Sequence, residues 1–218
     1  MSNKIVTIID YGISNLFSVK NAIIRCGFEV EITSDPFKVL NAKSLILPGV
    51  GAFNNGIKEL ENKKLIDPIK TYIELGKPIL GICLGMQLFA SFSHEFGKHK
   101  GLDLIEGEVV PIPKKNKFGE QCIIPNIGWT KLIKSKYCTD NHYLFKNLKP
   151  DSEVYLVHSF HFEPIKKSLI LSYCNFSDHK LCIAINKKNI YGVQFHPEKS
   201  GEVGLKILKN FCDISFNS

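Results

Sequence analysis

Apolar runs alternate with amphipathic stretches along the first half of the chain. Ile5 to Ile9 has the pattern of a buried strand, and the segment from about Asn15 to Cys26 carries its apolar residues at helical spacing. Phe28 to Ile32 alternates as a second strand should, and Ser44 to Leu47 predicts a third. Strands that alternate with helices in this way predict an α/β fold, with a parallel sheet and right-handed crossovers.

The pattern changes after Gly101. Short β-like runs follow one another there without clear helices between them, which predicts an antiparallel extension of the sheet. These runs are Glu108 to Ile112, Cys122 to Ile124, Val154 to Val157 and Leu181 to Ile185. A helical face over Gly201 to Phe211 then closes the fold. Neither a linker nor an internal repeat is visible, so we expect residues 1–218 to form a single domain.

One cysteine lies where a strand pattern gives way to a helix pattern. An apolar run ends at Cys83, and helix formers continue from Met86 to Ala90. Gly81 and Gly85, each two residues from Cys83, complete the Gly-x-nucleophile-x-Gly elbow with Cys in place of Ser. Glycine lacks the Cβ atom that clashes in so tight a turn. Free cysteine is also a common packing residue, so a catalytic role depends on finding a base elsewhere.

A candidate base follows the strand predicted from Tyr191 to Phe195. The chain continues there as His196-Pro197-Glu198. In an extended segment, residues two apart point to the same side, so we expect the His196 and Glu198 side chains to meet, with Pro197 keeping the segment extended. A cysteine nucleophile needs a base that a third group holds in place, and His with a carboxylate supplies this. A surface turn with a solvated acid is the alternative.

The carboxyl ends of parallel strands meet at one edge of a sheet, where the sites of α/β proteins lie. Gly12, Gly49, Gly51 and Cys83 each follow the carboxyl end of a predicted strand, so we expect them along one rim. The segment Pro48 to Gly51 predicts a loop whose backbone N–H groups are able to turn toward a developing oxyanion. An ordinary glycine turn has the same sequence pattern.

The composition argues against several classes of function. Seven cysteines, an odd number without a Cys-x-x-Cys pair, argue against a disulfide framework. The formal charge of +7 comes from scattered lysines and not from one basic patch, so nucleic-acid binding is not expected. The N-terminal apolar run is too short for a signal peptide or a membrane span, which predicts a cytoplasmic protein that does not bind a membrane. His158 and His161 have a metal-like spacing without further ligands, so no metal site is expected.

Two motifs resemble those of the class I, triad-type glutamine amidotransferases, namely Gly81-Ile82-Cys83-Leu84-Gly85-Met86-Gln87 and Gln194-Phe195-His196-Pro197-Glu198. Further blocks make the chain similar to the glutaminase subunits of imidazole glycerol phosphate synthase, which act in histidine biosynthesis. These blocks are Asp10-Tyr11-Gly12-Ile13-Ser14-Asn15, Leu47-Pro48-Gly49-Val50-Gly51, Ile127-Gly128-Trp129, Val157-His158-Ser159 and His196-Pro197-Glu198-Lys199-Ser200. The resemblance spans essentially the whole chain. It implies a flavodoxin-like amidotransferase fold, with helices on a mainly parallel sheet and an antiparallel extension, and no cofactor.

The resemblance also implies roles for individual residues. Cys83 would attack the side-chain amide carbon of L-glutamine, His196 would accept and deliver protons, and Glu198 would orient His196. The other implied positions are Leu84 with Val50 or Gly51 for the oxyanion, Gln87, Glu95, His158 and Ser159 for glutamine, and Asn15, Trp129 and Lys199 for a partner interface. The alternative for the binding and interface positions is a structural role, with the polar residues exposed to solvent and the aromatic residue in the core.

Members of the family pass ammonia to a barrel-shaped synthase subunit, so the resemblance implies a heterodimer with such a partner. Two positions depart from the family pattern. Asn126 stands where His is usual, and Phe160 replaces a tyrosine. They leave open a paralogous glutaminase subunit that supplies ammonia to a synthase-like partner in amidino-sugar or surface-polysaccharide synthesis. A non-catalytic scaffold is disfavoured because Cys83, His196 and Glu198 are all present.

Overall fold

Residues 4–139 and 142–216 are described by a computed structural model, and they form fourteen strands and six α-helices. The strands are β1 Ile5–Ile9, β2 Glu29–Thr33, β3 Leu45–Gly49, β4 Ile79–Cys83, β5 Ala90–Ser93, β6 His99–Lys100, β7 Ile105–Pro111, β8 Asn126–Lys131, β9 Ile133–Lys134, β10 Glu153–His158, β11 Phe160–Pro164, β12 Ile170–Phe176, β13 His179–Lys187 and β14 Ile190–Val193. The α-helices are α1 Leu16–Arg25, α2 Pro36–Asn41, α3 Phe53–Asn62, α4 Ile66–Glu74, α5 Leu84–Gln87 and α6 Gly201–Phe216.

The central sheet joins a parallel half to an antiparallel half. Its strand order is β2-β1-β3-β4-β14-β13-β12-β9. Pairing is parallel from β2 to β14 and antiparallel from β14 to β9. Two smaller sheets complete the extension. One joins β10 and β8 in antiparallel pairing, and the other, in the order β11-β7-β5-β6, is antiparallel except for the parallel pair of β5 and β7. The predicted α/β fold with an antiparallel extension is confirmed.

Both faces of the inner parallel strands β1, β3 and β4 are buried, which explains why these strands are apolar runs, whereas the edge strand β2 alternates. Successive residues of β3 point to opposite faces: Ile46 joins the core that includes α1 and α6, and Leu45 and Leu47 join the core that includes α2, α3 and α4. Each of these three side chains is fully buried. The packing of helices on both faces of the sheet fixes the position of β4, whose end carries Cys83.

Two local predictions were wrong. The helix expected through Ala90 ends at Gln87, because the Leu88 and Phe89 carbonyls accept hydrogen bonds from residues 102–105 in place of helical partners. The expected strand at Cys122 to Ile124 does not form. Its Cys122 N–H donates to the Lys114 carbonyl at 2.9 Å, so this segment pairs with its own loop. Within the part of the chain that the structure describes, no helix combines the length and apolarity needed to span a membrane.

Candidate active site

Cys83 sits at the turn between β4 and α5 with φ +54° and ψ −111°, a conformation that L-residues seldom adopt. The flanking glycines explain how so sharp a turn fits. A Cβ atom at Gly81 would lie 2.6 Å from the Phe89 ring and 2.7 Å from the Gly85 backbone, and one at Gly85 would collide with the Leu47 carbonyl of β3. The turn is therefore a strained elbow pressed against the neighbouring strand.

His196 follows β14, the strand next to β4, and its imidazole lines the same cavity as Cys83, whose charge and hydrogen-bonding influence act on its pKa. Its Nδ1 lies 2.8 Å from Glu198 Oε1, and both side chains are almost completely buried. The two side chains meet as predicted, but the prediction that the segment between them is extended was wrong. Pro197 begins a 3-10 turn, Pro197–Lys199, in which the Lys199 N–H donates to the His196 carbonyl. Proline suits the first position of such a turn because it has no N–H to donate.

The neighbours of His196 keep it charged despite its burial. Burial is the largest single influence and lowers the pKa, but the hydrogen bonds and negative charge of Cys83 and Glu198 together outweigh it and raise the pKa of His196 to about 10. The imidazole therefore holds its proton at neutral pH, beside the sulfur. A cysteine thiolate next to a charged, carboxylate-held imidazole is able to attack a carbonyl carbon, and the imidazole is then able to protonate the leaving amine.

A cavity of about 390 Å³ opens onto Cys83. It gathers most of the positions that the sequence singled out. These are Val50, Gly51, Cys83, Leu84, Gln87, Glu95, His158, Ser159 and His196. Pro125, Val157 and Phe160 complete the lining. Glu198 lies outside the lining, with its carboxylate oxygen Oε1 bonded to His196. Loops far apart in sequence thus form one site at the carboxyl ends of the strands.

The polar walls of the cavity are fixed by buried hydrogen bonds. Gln87 is buried and not on an exposed helix face, and its Nε2 donates to the Phe160 carbonyl at 3.0 Å and to Gln194 Oε1 at 2.9 Å. Glu95 is not a fully solvated acid, because its Oε2 accepts the Phe53 N–H at 2.6 Å and caps α3. Sequence reasoning missed Gln194. Its position two residues before His196 on an extended chain was the available signal.

His158 is neutral. Burial lowers the pKa of this imidazole to about 4. Its Nδ1 lies 2.9 Å from the Phe160 carbonyl and its Nε2 lies 3.0 Å from the Asn126 amide nitrogen. Because a carbonyl only accepts, Nδ1 carries the proton and Nε2 accepts from Asn126. The side chain therefore offers no positive charge to a bound ligand.

In the loop after β3, the backbone N–H of Val50 points away from the elbow. The Val50 N–H donates to the Ile13 carbonyl at 3.0 Å, and the Val50 side chain is half exposed. This bond ties the loop to the one after β1, so that the two loops are neighbours on the predicted rim. The Val50 N–H is thereby engaged and does not point at the sulfur.

Of the three positions implied for a partner interface, Lys199 lies in the turn Pro197–Lys199, and the other two lie on or beside elements next to it. Trp129 is 57% exposed, so it is not a core aromatic, and it lies against the start of α6 and edge-on to Tyr155. Lys199 is exposed. Asn15 caps α1, which packs against the same turn. Among residues 4–139 and 142–216, no three His, Cys, Asp or Glu side chains gather as a metal site would require.

A strained cysteine elbow facing a buried His–Glu pair on a parallel α/β sheet defines a class, the enzymes that attack carbonyl groups with an activated thiol. Residues 7–214 match the family model described as glutamine amidotransferase class-I. The chain belongs to the class I glutamine amidotransferase family.

The chain is similar to named members over almost its whole length. It is 45% identical to imidazole glycerol phosphate synthase subunit HisH 1 of Legionella pneumophila (strain Paris), over 96% of this chain and 99% of the relative. It is 43% identical to subunit HisH of Geobacter sulfurreducens, over 96% and 98%. Among solved structures, the glutaminase domain of Trypanosoma brucei CTPS shares the fold, with 17% identity, a TM-score of 0.69 and coverage of 98% and 94%.

Proposed function

We propose that this chain is the glutaminase subunit of an imidazole glycerol phosphate synthase of histidine biosynthesis. It hydrolyses L-glutamine to glutamate and ammonia, and the ammonia passes to a synthase subunit. The observation that carries the proposal is the full-length likeness to subunits of that name in two bacteria. The Cys83 elbow and the charged His196 in the same cavity support the chemistry. No disulfide joins the cysteines in the part of the chain that the structure describes, which fits the reducing cytoplasm, where we place the protein.

In the first half of the proposed reaction, the Cys83 sulfur attacks the side-chain amide carbon of glutamine. The S–C bond forms, the C–N bond breaks, and the proton on His196 leaves with the nitrogen as ammonia. A glutamyl thioester on Cys83 remains. Glu198, 2.8 Å from Nδ1 of His196, keeps the ring oriented through both proton transfers.

In the second half, water replaces ammonia at the same carbon. Neutral His196 takes a proton from the water, whose oxygen bonds to the thioester carbon. The C–S bond then breaks, glutamate leaves, and the thiolate and charged imidazole are restored. One water is consumed and one ammonia is released in each cycle.

The oxyanion of each tetrahedral stage is held by backbone donors. Leu84, the first residue of α5, supplies one N–H beside the sulfur. The loop after β3 supplies the second from Gly51 or from Val50. Val50 fills this role only after its bond to the Ile13 carbonyl breaks, because one N–H cannot serve both acceptors at full strength.

The glutamine backbone binds at the far side of the cavity. The Glu95 carboxylate attracts the α-ammonium group. Its Oε2 caps α3, so Oε1 is the oxygen that accepts from the ammonium group. Gln87 has both amide hydrogens engaged, so it offers Oε1 as an acceptor. Because the His158 side chain is neutral and already bonded, His158 and Ser159 contribute main-chain groups.

The synthase partner is a barrel-shaped subunit that forms a heterodimer with this chain. Trp129 and the neighbouring Ile127 on β8 are both more than half exposed, and with Lys199 and Asn15 they form the proposed docking surface. Exposed aromatic and apolar residues of this kind are typical anchors of protein interfaces.

Glutamate release from glutamine tests the proposal. The purified chain is assayed by itself, with the histidine-pathway synthase subunit, and with both that subunit and its phosphoribulosyl ligand. Strong stimulation when the synthase and its ligand are both present is the expected result. Stimulation by a different synthase-like protein, with no response to this one, would overturn the assignment to histidine biosynthesis.

A further inference from the structure

Gln194 lies one residue past β14, beside the reactive end of β4. The two strands pair in parallel with Val193 opposite Ile82, so Gln194 comes level with Cys83. The Gln194 N–H donates to the Ile183 carbonyl at 2.9 Å, which holds its backbone in the sheet. Its side chain is fully buried. A buried amide requires partners for both its oxygen and its nitrogen.

The orientation of the Gln194 amide follows from a backbone carbonyl. The Phe160 carbonyl only accepts, so the Gln87 group that faces it at 3.0 Å is the NH₂ group. That NH₂ also lies 2.9 Å from Gln194, which must present its oxygen there. The Gln194 nitrogen then points the other way, to Cys83 Sγ at 3.6 Å. The reverse orientation would set two NH₂ groups against each other.

Cys83 Sγ therefore accepts a hydrogen bond from the Gln194 amide, and the charged His196 imidazole lines the same cavity. A hydrogen bond to the ionised form of a group favours that form over the neutral one. The amide donor carries no net charge and keeps its proton throughout the cycle, whereas His196 gives its proton to ammonia. When the thioester breaks and the sulfur again becomes negative, the Gln194 donor is already in place.

We propose that Gln194 is a further catalytic residue, whose side-chain amide donates to Cys83 Sγ and favours the thiolate, with its orientation set by Gln87 and the Phe160 carbonyl. The role of Gln194 in the reaction rests on the proposed glutaminase function, whereas its hydrogen bond to Cys83 does not depend on that function.

The pH dependence of Cys83 alkylation by iodoacetamide tests this hydrogen bond, with the modified peptide quantified by mass spectrometry. Gln194→Met keeps the side-chain length and removes the donor. The midpoint of the Cys83 profile should rise by about one pH unit, with alkylation below the midpoint about tenfold slower. Gln121→Met makes the same change at an exposed glutamine and should leave the profile unchanged. An unshifted midpoint in folded Gln194→Met would overturn the proposal.

A second measurement needs no change at Gln194, in case that variant fails to fold. The chain has three glutamines, Gln87, Gln121 and Gln194, so selective ¹⁵N labelling gives three side-chain amide signals. The Gln194 signal should follow the titration of Cys83 and lose this response in Cys83→Ser, while Gln121 stays flat. A Gln194 signal without any pH response in the wild type would contradict the proposal.

These experiments separate the two proposals. Glutamate release by the wild type, together with an unshifted alkylation profile in Gln194→Met, would remove only the role of Gln194. A shifted profile in a protein that releases no glutamate with any synthase partner would leave the hydrogen bond standing and remove the glutaminase function.

Discussion

The protonation of His196 depends on its two neighbours, Cys83 and Glu198. An imidazole as buried as this one would otherwise lose its proton at mildly acidic pH. The imidazole of His158 is also buried, but its partners are the neutral Asn126 amide and the Phe160 carbonyl, and its pKa is lowered to about 4. Residue type alone therefore does not predict the charge of a histidine; its partners do.

Glu198→Gln should lower the pKa of His196, because the substitution removes a negative charge and leaves the shape unchanged. His196 would then lose, at a lower pH, the proton that it has to deliver to the leaving nitrogen. The alkaline limb of kcat/KM for glutamate release should move down by about one pH unit or more.

Glu163→Gln is the matched control for this variant. It removes a carboxylate that lies 3.4 Å from a different histidine, His161, and should leave the alkaline limb in place. Equal limbs in the wild type and Glu198→Gln would show that Glu198 does not sustain the charge of His196.

The two departures from the family pattern are accommodated within the cavity wall. Asn126 donates to His158 Nε2, so it satisfies a ring nitrogen that burial cuts off from water. Phe160 contributes its carbonyl to Gln87 and His158, which any residue would supply, and its ring packs edge-on to Phe96. The sequence showed that these positions were unusual, but only the pairing of β8 with β10 shows what Asn126 contacts.

At the scale of elements, the elbow depends on how closely α5 approaches β3. Gly85→Ala should lower the free energy of unfolding by about 3 kcal/mol, because the added Cβ collides with the Leu47 carbonyl and neither backbone segment moves freely. Urea denaturation measures the change.

Gly119→Ala is the control for backbone conformation. Its φ is +84°, but no atom lies within 4 Å of the added Cβ, so the cost should be about 1 kcal/mol. A loss at Gly85 no larger than the loss at Gly119 would mean that the close approach does not strain the fold.

The sequence predicted elements well where the pattern was long, and poorly where tertiary contacts decide the backbone. The parallel strands and α1 were predicted within one or two residues, because both sheet faces are buried and the apolar periodicity is strong. The end of α5 at Gln87 was not predictable, because it depends on donors from residues 102–105. The turn at Pro197 was missed for a similar reason, since an isolated Pro suits both an extended segment and a helical first position.

At the scale of the whole molecule, one side of the chain combines exposed apolar residues with the turn that carries Glu198. Trp129→Ala should weaken stimulation of glutamate release by the synthase partner by about tenfold or more, because a large exposed aromatic is the usual anchor of such an interface. Titration of the stimulation against synthase concentration measures this effect.

Phe118→Ala serves as the control, since this ring is 76% exposed and lies outside the proposed docking surface. Its response to the synthase partner should equal that of the wild type. Equal stimulation of all three proteins would place the docking surface elsewhere.

A comparison of glutamine with ammonium as nitrogen source for the assembled synthase tests most directly whether Cys83 supplies the ammonia. Formation of imidazole glycerol phosphate is measured with wild-type chain and with Cys83→Ala. Cys83→Ala should abolish the glutamine-dependent reaction and leave the ammonium-dependent reaction intact, because in the proposed heterodimer the synthase chemistry lies on the other subunit. Equal loss of both reactions, or glutamine-dependent activity that survives the substitution, would contradict this role of Cys83.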